Sequence, residues 1–310
     1  MLKKLTATLI TSVALMAGAT THAQAAGYTQ TKYPIVLTHG IFGWKNMPIL
    51  QNYFYYIPES LQSSGAKVYT TQLTGLDSSD ARSEQLLSQV KTILAISGAQ
   101  KVNLFGHSHG ASSSRYVAAV IPGQVASVTA IGSPVKGTPV ADLVVSVGNA
   151  APAFGSLVYT VLNAFDGIIN VLSSDPNTKL NARASMASLS TAGSAAFNAR
   201  FPQGVPTTAC GTGATQVNGI RYYSWGGTTP FTNIFDPLDY FFGLASVAFA
   251  GQANDGVVGK CSTHLGQVIR DDYNMNHMDE VNQMMGIHAL FMDPTALFRQ
   301  QANRLQLAGM

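Results

Sequence analysis

The stretch Lys101-Val102-Asn103-Leu104-Phe105-Gly106-His107-Ser108-His109-Gly110 decides how this chain is read. An apolar run leads into a Gly-x-Ser-x-Gly pentapeptide, and a helix-forming segment with Arg115, Tyr116 and Val117 follows. That order is the pattern of a nucleophile elbow: a strand ends, the chain turns sharply through a strained serine, and a helix begins. Gly106 and Gly110 lack Cβ atoms, so strand and helix can approach closely. The Ser108 hydroxyl is expected to stand proud of the sheet edge. The first N–H groups of the new helix would point toward any negative charge forming beside it. Such a pentapeptide also arises by chance in a chain with 29 glycines. The apolar run before it and the helix after it favour the elbow.

Upstream, Tyr33-Pro34-Ile35-Val36-Leu37-Thr38 reads as a buried strand that runs into His39-Gly40-Ile41-Phe42-Gly43. An early strand ending in His-Gly is where hydrolases of this architecture place a second oxyanion donor. The backbone N–H of Ile41 would partner that of His109. Lys67 to Leu73 reads as a further strand, and Leu86, Leu87, Val90, Ile93 and Leu94 recur at helical spacing before Gly98. That stripe is read as core packing. Downstream, Val125 to Ile131 reads as a strand, as does Arg221 to Trp225, and Pro294 to Leu307 as a surface helix with Arg299 and Arg304 outside. Strands alternating with helices predict an α/β fold, a mostly parallel central sheet with helices on both faces.

From Leu143 to Ser174 the only charge is Asp166, and Phe154, Leu157, Val161, Phe165, Ile168 and Leu172 form an apolar stripe at helical period. A buried core helix accounts for such a stripe. So does a helical lid whose apolar face meets a lipid surface, and its place as an insertion after a strand favours the lid, about 143–174.

The 310 residues are 46% hydrophobic and 11% charged, enough for one large domain with ample core. A net charge of +3 without a basic cluster argues against nucleic acid. Met1-Leu2-Lys3-Lys4, an apolar run from Leu5 to Gly18 and Ala23-Gln24-Ala25 have the form of a signal peptide, residues 1–25. The expected product is a secreted, extracellular protein of residues 26–310 with no transmembrane segment after cleavage. Its two cysteines, Cys210 and Cys261, suggest one disulfide in an oxidising compartment.

Ser108 needs a base, itself oriented by a carboxylate, and the order in this architecture is Ser, then Asp or Glu, then His. His107 and His109 flank the serine but diverge from it. His264, His277 and His288 lie late enough, and Asp236, Asp239, Asp255, Asp271 and Asp272 precede the last histidines. Asp255, in a turn-like Asn-Asp-Gly, and His277, in a polar loop, stand out, but spacing alone leaves the choice open.

Several motifs in order resemble the secreted bacterial true lipases of the Pseudomonas lipase family. They are Gly106 to Gly110 with Arg115 to Val120, Asn254-Asp255-Gly256 with Cys261-Ser262-Thr263-His264-Leu265-Gly266, and Asn276-His277-Met278-Asp279-Glu280-Val281-Asn282-Gln283. The resemblance runs from about Tyr33 to the C-terminus. It implies an α/β-hydrolase fold and hydrolysis of triacylglycerol at a lipid–water interface. It implies a triad of Ser108, Asp255 and His277, oxyanion donors at Ile41 and His109, and a Cys210–Cys261 disulfide. It further implies one structural Ca2+ on the carboxylates of Asp236 and Asp279 and the carbonyls of Gln283 and Ile287, oxygen ligands that suit a hard cation. A lipase-specific foldase is the partner that the family implies. The competing expectations are a carboxylesterase acting on soluble short esters and an inactive binding protein on a hydrolase scaffold.

Overall fold

A computed structural model describes residues 27–174 and 179–310. The expected signal peptide, residues 1–25, lies outside the described residues. Among these, seven strands form one sheet: β1 (Ile35–Thr38), β2 (Val68–Thr70), β3 (Val102–His107), β4 (Val125–Ile131), β5 (Gln216–Val217), β6 (Ile220–Gly227) and β7 (Gln267–Tyr273). The order is β2-β1-β3-β4-β6, and β7 and the short β5 both pair with β6. Only the β5–β6 pairing is antiparallel. The helices are α1 (Ile57–Gln62), α2 (Ser79–Ser97), α3 (Gly110–Val120), α4 (Pro139–Ala150), α5 (Pro152–Ser173), α6 (Ala182–Leu189), α7 (Thr191–Arg200), α8 (Pro237–Ala245), α9 (Gln283–Gly286) and α10 (Pro294–Leu307).

Strand side chains alternate between faces, and here both faces are covered. Ile35, Leu37, Phe105, Ile131 and Trp225 pack with Ile57 and Leu61 of α1 and with Phe298, Ala302 and Leu305 of α10. Val36, Leu104, Val128 and Tyr222 pack on the other face with Leu86, Leu87, Val90 and Ile93 of α2 and Val117 of α3. Helix α2 starts where the Ser78 side chain accepts from the Ala81 N–H, and it stops at Gly98, whose φ of 67° closes the last turn.

Three features differ from the sequence reading. Strand β2 ends at Thr70 rather than Leu73, because the chain leaves the sheet to meet His39: the Leu73 N–H donates to His39 Nε2 at 3.0 Å. Helix α10 is a face of the core rather than a surface helix, since Phe298, Ala302 and Leu305 are fully buried. Strand β7, Gln-Val-Ile-Arg-Asp-Asp-Tyr, was not legible: its side chains are mostly polar and none of its residues is fully buried. Cys210 and Cys261 are joined as a disulfide, tying the segment before β5 to the turn that follows residues 254–259.

The apolar insertion is built of two helices, broken at Ala151 and Pro152. Helices α4 and α5 share a small core with α6 built on Leu76, Ala141, Tyr159, Ala182, Met186 and Leu189. Little of the α5 stripe is used there. Phe154, Leu157, Val161, Phe165, Ile168 and Leu172 are exposed, whereas Asp166, Ile169 and Asn170 face inward.

Candidate active site

Strand β3 ends at His107 and α3 begins at Gly110, so Ser108 occupies the turn between them with φ of 54°. A non-glycine residue in this region carries strain and holds it only where its surroundings dictate. Those surroundings are tight. A Cβ on Gly106 would come within 2.5 Å of Ala111, and one on Gly110 within 2.3 Å of the Thr38 carbonyl. The loop after β1 lies against the nucleophile: a Cβ on Gly40 would stand 3.1 Å from Ser108 Oγ. Ile41, one residue on, is therefore beside the elbow, and His109 is the residue before the first turn of α3.

This loop is held from beneath by a residue that sequence reading passed over. Arg82 of α2 is fully buried, and its guanidinium donates to the carbonyls of Thr74, of Gly75 at 3.1 Å, of His39 at 2.7 Å and of Gly40 at 3.0 Å. Two of these carbonyls immediately precede Ile41. The signal was present in the sequence: a charge at position 82 falls in register with Leu86, Val90 and Ile93 on the apolar face. His39 donates from Nδ1 to the Gly40 carbonyl at 2.9 Å while its Nε2 accepts from Leu73. Burial, reinforced by the Arg82 charge, lowers the His39 pKa to about 3. The same two causes hold the His109 pKa well below the ordinary value, and its Nε2 meets Ser79 Oγ at 2.8 Å.

On the other side of the elbow, the loop 254–259 presents Asp255. Its Oδ1 accepts the N–H groups of Val257 and Val258, at 2.9 and 2.6 Å, and its Oδ2 accepts from His277 Nδ1 at 2.7 Å. The His277 main-chain N–H also donates to the Asp255 carbonyl at 2.9 Å. Phe242 of α8 presents its ring edge-on to the imidazole, centroids 6.4 Å apart. The structure thus sets the Asp255–His277 pair against the strand that leads into Ser108, with the His107 and His277 ring centroids 4.5 Å apart, and packs Gly40, the residue before Ile41, against Ser108 itself.

The other candidate acids and bases are engaged elsewhere. His264 bonds the Gly211 carbonyl and, through Nε2, Asp271 at 2.9 Å. Asp272 pairs with Arg270 at the surface. His288 Nδ1 donates to its neighbour's carbonyl at 2.9 Å. Asp239 accepts from the Thr232 and Asn233 main chain and from Asn276 Nδ2.

Asp236 and Asp279 are both buried near one another. Asp236 caps α8 through Oδ1, which accepts from Leu238 at 2.8 Å, and Asp279 Oδ2 accepts from Thr232 Oγ1 at 2.8 Å and from the Asn276 N–H at 3.2 Å. The second oxygen of each, Asp236 Oδ2 and Asp279 Oδ1, is buried without a hydrogen-bond partner. Burial raises the Asp236 pKa to about 6 and the Asp279 pKa to about 7, and the neighbouring carboxylates add to both shifts. Two orphaned carboxylate oxygens in one buried place fit a hard cation, which would stabilise the ionised form of both. Gln283 and Ile287 flank a turn in which Met284 and Met285 take φ of 55° and 58°, an arrangement that non-glycine residues rarely hold without support.

A sequence-family profile described as the alpha/beta hydrolase fold matches residues 33–281. A triacylglycerol lipase of Vibrio cholerae is 50% identical over 301 residues, 96% of each chain. One from Pseudomonas fragi is 38% identical over 291 residues, 90% of this chain and 98% of that one. Among solved structures, the Staphylococcus hyicus lipase superposes with a TM-score of 0.60 at 16% identity, covering 90% of this chain and 97% of that one, a likeness of fold alone. With an elbow serine and a neighbouring Asp–His pair on that fold, the chain belongs to the triacylglycerol lipases of the α/β-hydrolase family.

Proposed function

We propose that the protein is a secreted lipase that hydrolyses long-chain acylglycerols through Ser108, His277 and Asp255. Ser108 Oγ attacks the ester carbonyl as His277 takes the hydroxyl proton, so the new Oγ–C bond forms while the carbonyl electron pair moves onto oxygen. The N–H groups of Ile41 and His109 receive that oxyanion. As the ester C–O bond breaks, the imidazolium returns its proton to the departing alcohol. A water, deprotonated by His277, then releases the fatty acid from the serine ester. Asp255 holds the imidazole tautomer and offsets the charge that forms on it.

The observation that carries this reading is the His277 Nδ1 to Asp255 Oδ2 hydrogen bond beside a positive-φ serine. Ser108→Ala is expected to lower hydrolysis by about 10⁵–10⁶-fold while leaving the protein folded. Hydrolysis near the original rate by that variant overturns the assignment. The exposed α5 stripe supports long acyl chains at an interface over short soluble esters. A rate profile over triglycerides of graded chain length tests that choice.

Asp236, Asp279 and the carbonyls of Gln283 and Ile287 would hold a calcium ion. The orphaned oxygens described above support this, and the cation would supply structural support for the loop that carries His277. Prolonged treatment with a strong chelator is expected to lower the melting temperature, and calcium to restore it. The leader-like residues 1–25 support export through the periplasm, and the mass of the extracellular protein tests it. A lipase-specific foldase is the partner expected for biogenesis, tested by yield of active enzyme with and without co-expression of such a foldase.

A further inference from the structure

We propose that His107, the residue before the nucleophile, is a positioning residue that sets the main chain of His277 and thereby the reach of the base. His107 closes β3 and is fully buried. Its Nε2 lies 3.0 Å from the His277 carbonyl oxygen. A carbonyl only accepts, so Nε2 carries the proton and donates. Nδ1 is then the acceptor, and the Tyr53 hydroxyl donates a hydrogen bond to it at 2.8 Å. Tyr53, buried and lying in the segment after the Ile41 loop, selects the tautomer that the contact to His277 needs.

The two imidazoles are in contact, with ring centroids 4.5 Å apart. His277 is therefore fixed at three points. Asp255 holds its ring, the Asp255 carbonyl takes its N–H, and His107 donates to its carbonyl. Of these, only the His107 bond originates on the strand that leads into Ser108. It is a direct link between nucleophile and base, across 170 residues of chain. A second buried acid stands by: Glu280 Oε2 lies 3.4 Å from His107 Nε2, while Glu280 Oε1 accepts the Gly227 N–H at 2.6 Å. The Gly227 N–H holds Glu280 through Oε1, and at 3.0 Å against 3.4 Å the His277 carbonyl is the nearer acceptor for the His107 Nε2–H. A displacement of about 1 Å in a reacting group can cost about 10²-fold in rate, so a loose His277 main chain would be felt in turnover rather than in binding.

This inference rests on the Ser108–His277–Asp255 reading. The test uses the full mature protein and a water-soluble p-nitrophenyl ester, on which kcat and KM separate. His107→Phe, which keeps the ring volume and removes both nitrogens, is expected to lower kcat by about 30- to 100-fold with KM within about twofold. The rate of phosphonylation of Ser108 by a soluble organophosphonate should fall in parallel. His107→Gln, whose amide nitrogen reaches the place of Nε2 and still donates, is expected to recover most of the loss. Tyr53→Phe, which leaves the tautomer unselected, is expected to cost about three- to tenfold in kcat. It serves as the decisive variant if His107→Phe does not fold. Unchanged kcat and phosphonylation in a folded His107→Phe, or in Tyr53→Phe where that is the one that folds, overturns the inference. A loss in His107→Gln as deep as in His107→Phe also overturns it. His277→Ala separates the two levels. If it stays active, the triad reading falls. If it is inactive while His107→Phe is unaffected, only the positioning role does.

Discussion

Helices α2 and α5 are of similar length and each hides a single charged side chain, yet they are built in opposite senses. Helix α2 turns Leu86, Leu87, Val90 and Ile93 inward beside Arg82 and leaves much of its polar face to water. Helix α5 turns Asp166 and Asn170 inward and leaves Phe154, Leu157, Val161, Phe165 and Ile168 outside. A helix of the first kind is stabilised by its own protein's core. A helix of the second kind leaves apolar surface that another apolar phase can cover, and contiguous exposure of this type marks interaction surfaces in soluble proteins. The two helices meet the same loop. Arg82 holds the carbonyls of His39 and Gly40, and Phe165 packs its ring edge-on to Phe42, centroids 5.2 Å apart. The proposed function gives one helix to the chemistry and the other to the encounter with substrate, and the two roles separate by experiment.

The largest effect is expected at Arg82. Arg82→Met leaves up to four main-chain carbonyls without their donor and frees the loop bearing Ile41. Turnover should fall by about 10²–10³-fold, the usual consequence of losing an oxyanion donor, and equally on soluble and emulsified esters. A loss confined to emulsions would break the contrast. On α5, Leu157→Gln with Ile168→Gln removes two half-exposed apolar side chains, each able to contribute about 1.5–3 kcal/mol when covered. Hydrolysis of emulsified triglyceride should fall by about 30-fold while soluble ester turnover stays within twofold.

The next effect concerns stability against acid. His39 stays neutral in the folded protein down to about pH 3, whereas in the unfolded chain it takes a proton near its ordinary value. The unfolded state therefore binds more protons below about pH 6.5, and this contribution to stability is lost as pH falls. His39→Gln, which keeps a donor and an acceptor, should lose about 2 kcal/mol less than the original protein between pH 7 and pH 5, read from urea unfolding at both values. The smallest effect is expected at Ile96, an exposed apolar residue on α2. Ile96→Ser should change stability by less than about 0.5 kcal/mol and leave both rates alone. The same exchange on α5 should not be silent on emulsions.

The elbow was legible because its requirements are local. A strand, two glycines and a helix start fall within ten residues, and the structure places Ser108 at the turn they imply. The stripe of α2 was legible for the same reason, through periodicity. What periodicity hid was Arg82, since a charge in an apolar register reads as an interruption until its carbonyl partners, up to 43 residues away, are known. Strand β7 was hidden because its half-exposed side chains carry no apolar signature. Asp255 and His277 could not be chosen from spacing, because five acids and three histidines satisfy the order. Their choice rested on resemblance, and the partners seen for Asp239, Asp271, Asp272, His264 and His288 give the physical reason why the alternatives are engaged elsewhere. For α5 the cover was favoured over the core only by its place as an insertion, because hydrophobicity at helical period does not say which side of the stripe the rest of the protein takes.

The positive φ of Ser108 bears on how this protein would respond to selection for stability alone. At φ of 54° a side chain costs of order 1 kcal/mol that glycine would not incur. Ser108→Gly is therefore expected to melt at or above the temperature of the original protein while hydrolysing nothing. Any screen for thermal robustness that ignores turnover should return that exchange. The serine at the elbow stands against the fold's own preference, and the reaction proposed for it is what would keep it there.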